Sequence, residues 1–113
     1  MLKQHDLVLV CYRRLFANDE NRFFLGQVDG YENGIVKLTG HSFMHDGMTG
    51  QMTEKSSLAT KIMSISSGSL IVYLLPDNVD INALRFEQQS MKLTLVDDSG
   101  FCLDLTEKSF RAS

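Results

Sequence analysis

The sequence lacks several features that would assign it to a familiar functional class. Its 113 residues include two cysteines, Cys11 and Cys102, which have no metal-ligand spacing and are too few for a secreted disulfide scaffold. No stretch approaches the ~20 consecutive apolar residues of a membrane helix. The apolar run near the N-terminus is interrupted by Arg13 and Arg14 and has no small-residue cleavage site, which argues against a signal peptide. We therefore expect reduced thiols, no membrane partner and a cytoplasmic location.

The charge balance and the reactive side chains weigh against two further classes. The net charge is −3, whereas a nucleic-acid-binding domain usually carries a basic footprint, so we expect no DNA partner. No Ser-His-Asp, Cys-His or paired-carboxylate arrangement stands out, so we predict neither an enzyme nor a cofactor. His41 and His45 stand four residues apart beside Asp46, but a metal site needs three or four ligands. We interpret both as surface histidines at the start of a loop.

The apolar residues follow a period of two and not the helical period of 3.6, which predicts an all-β fold. The run 7–12 is apolar on both faces and indicates a strand that is buried on both sides. Further strands are predicted over 59–67 and 69–75. Residues 84–105 alternate again around a polar turn and predict a β-meander with one apolar face. We expect seven or eight strands in a single domain, 1–113.

The segment 22–43 carries the strongest local signals. Asn33-Gly34 lies between two apolar strands, and Asn-Gly favours a two-residue hairpin turn because such a turn needs positive φ. Gly26 and Gly30 fall on one face of the first strand, which indicates a strand that curls as the wall of a small barrel must.

Residues 44–58 break the period of two. They combine two glycines and three methionines with several hydroxyl-bearing or charged residues. This composition predicts a long surface loop, because connecting segments run over the surface and tolerate irregular sequence. Its methionines would either pack loosely against the protein or meet a partner.

The order of these features resembles that of an Sm-like domain over residues 7–75. The first Sm motif has a strand glycine, a hydrophobic residue, an aromatic-acidic pair and a turn into an apolar strand; the matching residues are Gly26, Val28, Tyr31-Glu32 and 35–38. The second has an aliphatic residue, a basic residue, glycine, a small polar residue and an aliphatic strand; the matching residues are Ile65, Ser66-Ser67, Gly68, Ser69 and 70–73, with serine at the basic position.

The resemblance implies a small, strongly bent barrel over 7–75, extended by the meander over 84–105. It also implies a non-enzymatic scaffold that acts through self-assembly and binds another macromolecule, with RNA as a candidate. In Sm-like rings the strand at 69–75 pairs with the strand at 59–67 of the next subunit. Here 69–75 is apolar on both faces and uncharged, so an open edge would invite pairing. We therefore expect a homo-oligomer, with the meander as a second candidate to cover this strand.

The candidate residues for binding RNA or another partner are Tyr31, Glu32, Asn33, Ser67 and Gly68. RNA-binding Sm-like proteins place an asparagine in the loop after the aromatic-acidic pair and a basic residue before the second-motif glycine. Here Ser67 stands at the basic position and the turn at Asn33 is shorter, so we expect weak RNA binding or none. The alternative is a monomeric ligand- or protein-binding barrel with no RNA role, in which Asn33 and Ser67 serve only their turns.

Overall fold

A computed structural model of the chain describes residues 2–13, 21–46, 51–55, 57–66, 68–89 and 92–105. These residues form nine β-strands and one short 3₁₀ helix, which confirms the all-β class and exceeds the predicted strand number. The strands are β1 (Leu7–Tyr12), β2 (Asn21–Glu32), β3 (Ile35–His45), β4 (Met52–Glu54), β5 (Ala59–Ser64), β6 (Leu70–Leu74), β7 (Arg85–Gln89), β8 (Lys92–Val96) and β9 (Cys102–Asp104). The chain divides into two compact units, Met1–Asp77 and Asn78–Ser113.

The first unit contains one antiparallel sheet built around β3. Its strands follow the order β4-β3-β2-β1-β6, and β5 pairs with β3 as well. β2 pairs along the full length of β3, so β4 and β5 share the opposite edge of β3. β5 occupies the part of this edge from Ile35 to Gly40, and β4 occupies the part from Phe43 to His45. β5 and β6 therefore lie at the two ends of a five-stranded path.

This sheet bends around a single hydrophobic core. Alternate side chains of a strand point to the same face, and those on the inner face belong to one buried cluster. The cluster consists of Val8, Val10, Phe24, Val28, Val36, Leu38 and Met63. Val72 of β6 packs against it as well, although β6 and β5 are at opposite ends of the strand order. Because both end strands contact the same core, the sheet must curve strongly.

The β2–β3 hairpin has the predicted two-residue turn. Glu32 pairs with Ile35, while Asn33 and Gly34 have φ values of 52° and 80°. Both values lie in the left-handed region that a tight hairpin turn needs, so this prediction is confirmed. The pairing register shifts between Val28 and Gly30, which marks a β-bulge and increases the local twist of β2.

Gly26 and Gly40 lie directly opposite each other in the β2–β3 register. A Cβ added to Gly40 would overlap the carbonyl oxygen of Leu25 and the Cα of Gly26. A Cβ added to Gly26 would come within 2.8 Å of the carbonyl oxygen of Thr39. Because these neighbours are backbone atoms, they cannot move aside independently of the sheet. The two glycines therefore permit the close contact between the two longest strands.

The structure corrects the prediction of a loop over 44–58. β3 continues to His45, and β4 pairs with its last three residues. The Lys55 amide also donates to the Ser42 carbonyl, at 3.0 Å. β4 is polar and half-exposed, so its sequence shows no burial period, and its pairing depends on a neighbour distant in sequence. Residues 47–50 and 56 lie outside the described part of the chain.

His45 is also corrected from a surface residue to a buried one. Its side chain is 5% exposed, and its Nδ1 lies 3.2 Å from the side-chain nitrogen of Asn21. The two residues face each other in the β2–β3 register, so the extension of β3 accounts for the burial. His41 remains partly exposed, and its Nδ1 lies 3.9 Å from a carboxylate oxygen of Glu54.

The second unit contains the predicted meander, with strand order β7-β8-β9. Leu93 and Leu95 of β8 are buried, and the alternate residues of this strand are more exposed. The 3₁₀ helix spans Ile81–Ala83 and begins after Asp80, whose carboxylate accepts from the Asn82 amide. Within the residues that the structure describes, no helix is long and apolar enough to cross a membrane.

Asp97 ties the 3₁₀ helix to the β8–β9 turn. Its side chain is buried, and its carboxylate accepts backbone N–H groups from Asp80, Ser99 and Phe101 at 2.8, 2.9 and 3.0 Å. The Ser99 hydroxyl donates to the same carboxylate. These bonds, with the Asp80 amide contributing most, lower the pKa of Asp97 to about 2. The charged carboxylate therefore organises the turn that joins β8 to β9.

We expect Gly40→Ala to lower the free energy of unfolding of the first unit by at least about 2 kcal/mol, because the new methyl group would overlap backbone atoms. Gly30→Ala is the matched control, since a Cβ there meets nothing within 4 Å, and it should change stability by less than ~0.5 kcal/mol. Denaturant unfolding followed by circular dichroism measures both. Equal stability of the two variants would show that the close approach of β2 and β3 is not needed.

The turn around Asp97 should loosen in acid. Because the pKa of Asp97 is lowered in the folded state, its stabilising effect is complete above the unfolded pKa of ~3.9 and is lost as the pH falls towards about 2. The amide resonances of Asp80, Ser99 and Phe101 should therefore shift together with a midpoint near 2. Asp97→Asn should abolish this shared transition and speed amide exchange in the β8–β9 turn. A midpoint near 4 would contradict the hydrogen bonds described here.

Candidate functional site

The structure brings together the two segments that carry the predicted binding residues. The Ile65 amide donates to the Gly34 carbonyl at 2.9 Å, so the β2–β3 turn lies beside the end of β5. The side chain of Ser66 lies next to Gly34 and within 3.3 Å of the Ser64 hydroxyl. We call this region the turn end of the sheet. It gathers residues that are about thirty positions apart in the chain into one surface.

The predicted residues have different environments at the turn end. Tyr31 packs against the hydrophobic core, which gives its ring a structural role, whereas Glu32 and Asn33 are exposed. Gly68 has a φ of +80° with open space around it, and only a residue tolerant of the left-handed region fits there. Ser67 lies outside the described residues.

A shallow depression of about 590 Å³ occupies this surface. Its lining includes Tyr31, Glu32 and Asn33 from the hairpin turn region and Ile35, Lys37 and Ile62 from β3 and β5. Lys37 is the one cation among these lining residues, and it faces a depression that also contains the acidic Glu32. Since phosphate binding depends on clustered cations, this balance does not favour an RNA backbone. The depression offers a partner mainly apolar and uncharged polar surface.

The two edge strands form a second candidate surface. In an antiparallel ladder, alternate residues direct their backbone N–H and C=O groups towards opposite neighbours. The bonds from Arg13 N to Ser69 O and from Leu75 N to Leu7 O fix this alternation for β6. The bond from Ile65 N to Gly34 O fixes it for β5. The residues whose backbone groups point outward are Thr60, Ile62 and Ser64 on β5 and Leu70, Val72 and Leu74 on β6.

Neither edge has the usual protection against pairing. Edge strands of monomeric proteins commonly carry lysine, proline or a bulge. β6 contains no charged residue, and Leu74 is 58% exposed. β5 contains Lys61, but the side chain of Lys61 is on the inner face of the sheet, while Ile62 is 71% exposed. Both edges therefore combine outward backbone groups with exposed apolar side chains.

Three cations near the other end of the sheet escaped the sequence analysis. Arg22 faces Tyr12 across the β1–β2 pair, on the same pleat face as the core residue Phe24. Lys61 reaches over the rings of both Tyr12 and Phe24, and Lys55 lies nearby at the end of β4. Side chains two residues apart in a strand share a face, so Lys61 lies on the same face as the buried Met63. This alternation is the sequence signal that could have placed Lys61 on the inner face.

The described residues contain no group of three or more histidine, cysteine, aspartate or glutamate side chains that could hold a metal ion. The candidate sites of the described residues are therefore the turn end, the two edges and the surface around the three cations. No family model, no curated protein and no solved structure matches the chain.

Proposed function

We propose that the protein is a non-enzymatic Sm-like scaffold that assembles with copies of itself through β5 and β6. The observation that carries this proposal is a pair of edges, at the two ends of one strongly bent sheet, that have no strand partner among the described residues. The same two strands join subunits in Sm-like rings. The alternative is a monomeric binding module with no RNA role, which would keep both edges apart from other copies.

The two edges have matching numbers of outward backbone groups. If Val72 of one copy pairs antiparallel with Ile62 of the next, Leu70 comes opposite Ser64 and Leu74 comes opposite Thr60. Each of the three pairs can then exchange two backbone hydrogen bonds. This contact joins different surfaces of the two copies, so it repeats head to tail until a ring closes.

Pairing of the edges would also remove apolar surface from water. Ile62 and Leu74 are among the most exposed large hydrophobic residues of the described chain. Burying such side chains contributes roughly 1.5–3 kcal/mol each when burial is complete. The same contact would provide backbone hydrogen bonds and would deny both edges to unrelated strands. These two effects favour assembly over a monomer with open edges.

Assembly would place several copies of the turn end in one particle. A single turn end, with Glu32 and Asn33 exposed and Lys37 as its nearby cation, offers little attraction to phosphate. Several linked copies raise the effective concentration of a weak site, so a scaffold can hold a macromolecule that one subunit would release. RNA is one candidate for that macromolecule and a protein segment is another.

The low cysteine count supports the cytoplasm as the compartment.

The assembly is tested by Ile62→Pro. Proline at position 62 removes a backbone N–H that points away from β3. The hydrogen bonds to β3 are made by residues 61 and 63, so they remain. Edge strands tolerate such a proline. We expect native mass spectrometry at micromolar concentration to show a multiple of 12.7 kDa for the unmodified protein and 12.7 kDa for the variant. A proline at position 71 would not test the assembly, because the backbone of Ile71 pairs with Cys11 of β1 within the same chain.

Ile62→Thr is the matched control, because threonine keeps the backbone donor and suits a strand. It should assemble, although more weakly than the unmodified chain since apolar contact is lost. Circular dichroism of both variants should match the unmodified spectrum. An unmodified protein that is monomeric at micromolar concentration would contradict the scaffold and favour the monomeric module. An oligomer that survives Ile62→Pro would mean that copies join through other surfaces.

A further inference from the structure

A cavity of about 250 Å³ lies at the end of the first-unit sheet away from the Asn33-Gly34 turn. Its one lining residue from an edge strand is Lys61 of β5, whose side chain is on the inner face, so the outward backbone groups that the proposed assembly uses are not part of it. Its lining combines three cations with aromatic and hydroxyl groups. The lining residues that matter for its chemistry are Tyr12, Arg22, Ser42, Phe43, Lys55 and Lys61.

Strand pairing fixes the positions of these residues. Tyr12 is opposite Arg22 in the β1–β2 register, and Ser42 is opposite Phe24 in the β2–β3 register. The bond from the Lys55 amide to the Ser42 carbonyl holds Lys55 next to that serine. The cavity is therefore built on paired strands of one sheet, which is the kind of support that a precise binding site needs.

Lys61 is held in place by aromatic rings. Its Nζ lies 5.0 Å from the centre of the Phe24 ring and 5.7 Å from that of Tyr12. The same nitrogen lies 3.4 Å from the Tyr12 hydroxyl. Ring faces attract a cation without using its hydrogen-bond donors, so the ammonium has further donors for a ligand.

Among the described residues, the three cations have no acidic partner in the cavity. None of the described lining residues is a carboxylate, and none of the ion pairs that the described residues form includes Arg22, Lys55 or Lys61. Like charges gathered in one concave surface repel each other, and they concentrate a field that attracts anions. An arginine and two lysines suit a phosphate group, because the guanidinium offers paired donors and the ammonium groups offer point charges.

The size of the cavity indicates what else the ligand carries. A volume of 250 Å³ would hold about eight water molecules at ~30 Å³ each, which is more than one phosphate group needs. The remaining wall includes Tyr12, whose ring lies on the same pleat face as Arg22 and can contact a flat aromatic group. We propose that the cavity binds a nucleoside monophosphate, with the phosphate group at Arg22, Lys55 and Lys61 and the base against Tyr12.

The test titrates the full-length ¹⁵N-labelled protein with AMP, and separately with inorganic phosphate and with adenosine. We expect AMP to shift the amide resonances of Tyr12, Arg22 and Ser42 and to bind at least about tenfold more tightly than either fragment. Lys61→Gln and Arg22→Gln should each weaken AMP binding at least about tenfold, since each removes a charged hydrogen-bond donor.

Lys3→Gln is the matched control, because Lys3 is an exposed lysine that is not among the residues lining the cavity or the turn-end depression. It should leave AMP binding unchanged. The proposal fails if about 10 mM AMP shifts none of these resonances, if phosphate binds as tightly as AMP, or if Lys3→Gln weakens binding as much as the cavity variants do. Should Lys61→Gln fail to fold, the exposed Arg22→Gln variant decides the outcome by itself.

Discussion

The close backbone contact between Gly26 and Gly40 is the constraint on which the first unit depends. It lets β2 and β3, the two longest strands, approach so closely that a Cβ on either glycine would clash with backbone atoms of the other strand. The bulge between Val28 and Gly30 adds twist to the same pair of strands. Because the sheet bends here, β5 and β6 reach the same core although four strand pairings separate them.

The bend also determines which surfaces are available for function. Residues on the inner face fill the core near the turn end, and the inner face opens into the cationic cavity at the other end. The outward backbone groups of β5 and β6 do not pair with each other within the described chain, so they are available to a second copy. Self-assembly would use these backbone groups and ligand binding would use side chains of the inner face, so the two can be tested separately.

Local signals predicted the parts of the fold that neighbouring residues determine. Asn33-Gly34 specifies its turn because the required φ values are local, and the apolar run of β1 indicates burial on both faces. β4 was missed because its pairing with β3 depends on a distant partner and its side chains are largely exposed. His45 was assigned to the surface for the same reason, since its burial follows from that extension of β3.

The candidate site was only partly accessible from the sequence. The resemblance directed attention to the turn end, where Gly34 and Ser66 do meet. The cavity required three residues from different strands to converge, and a lone lysine such as Lys61 usually belongs to a solvated face. No pattern along one strand reports such a convergence. The edges of β5 and β6 could be anticipated, but which of their backbone groups point outward follows from the registers alone.

The central claim is that β5 of one copy pairs with β6 of another. Amide hydrogen exchange tests it most directly, because the outward N–H groups of Ile62, Val72 and Leu74 have no ladder partner within the described chain. The account predicts that these three amides exchange slowly at concentrations where the protein assembles and quickly when dilution yields the monomer. Rapid exchange of all three in the assembled protein, beside slow exchange of Met63, whose amide faces β3, would contradict it.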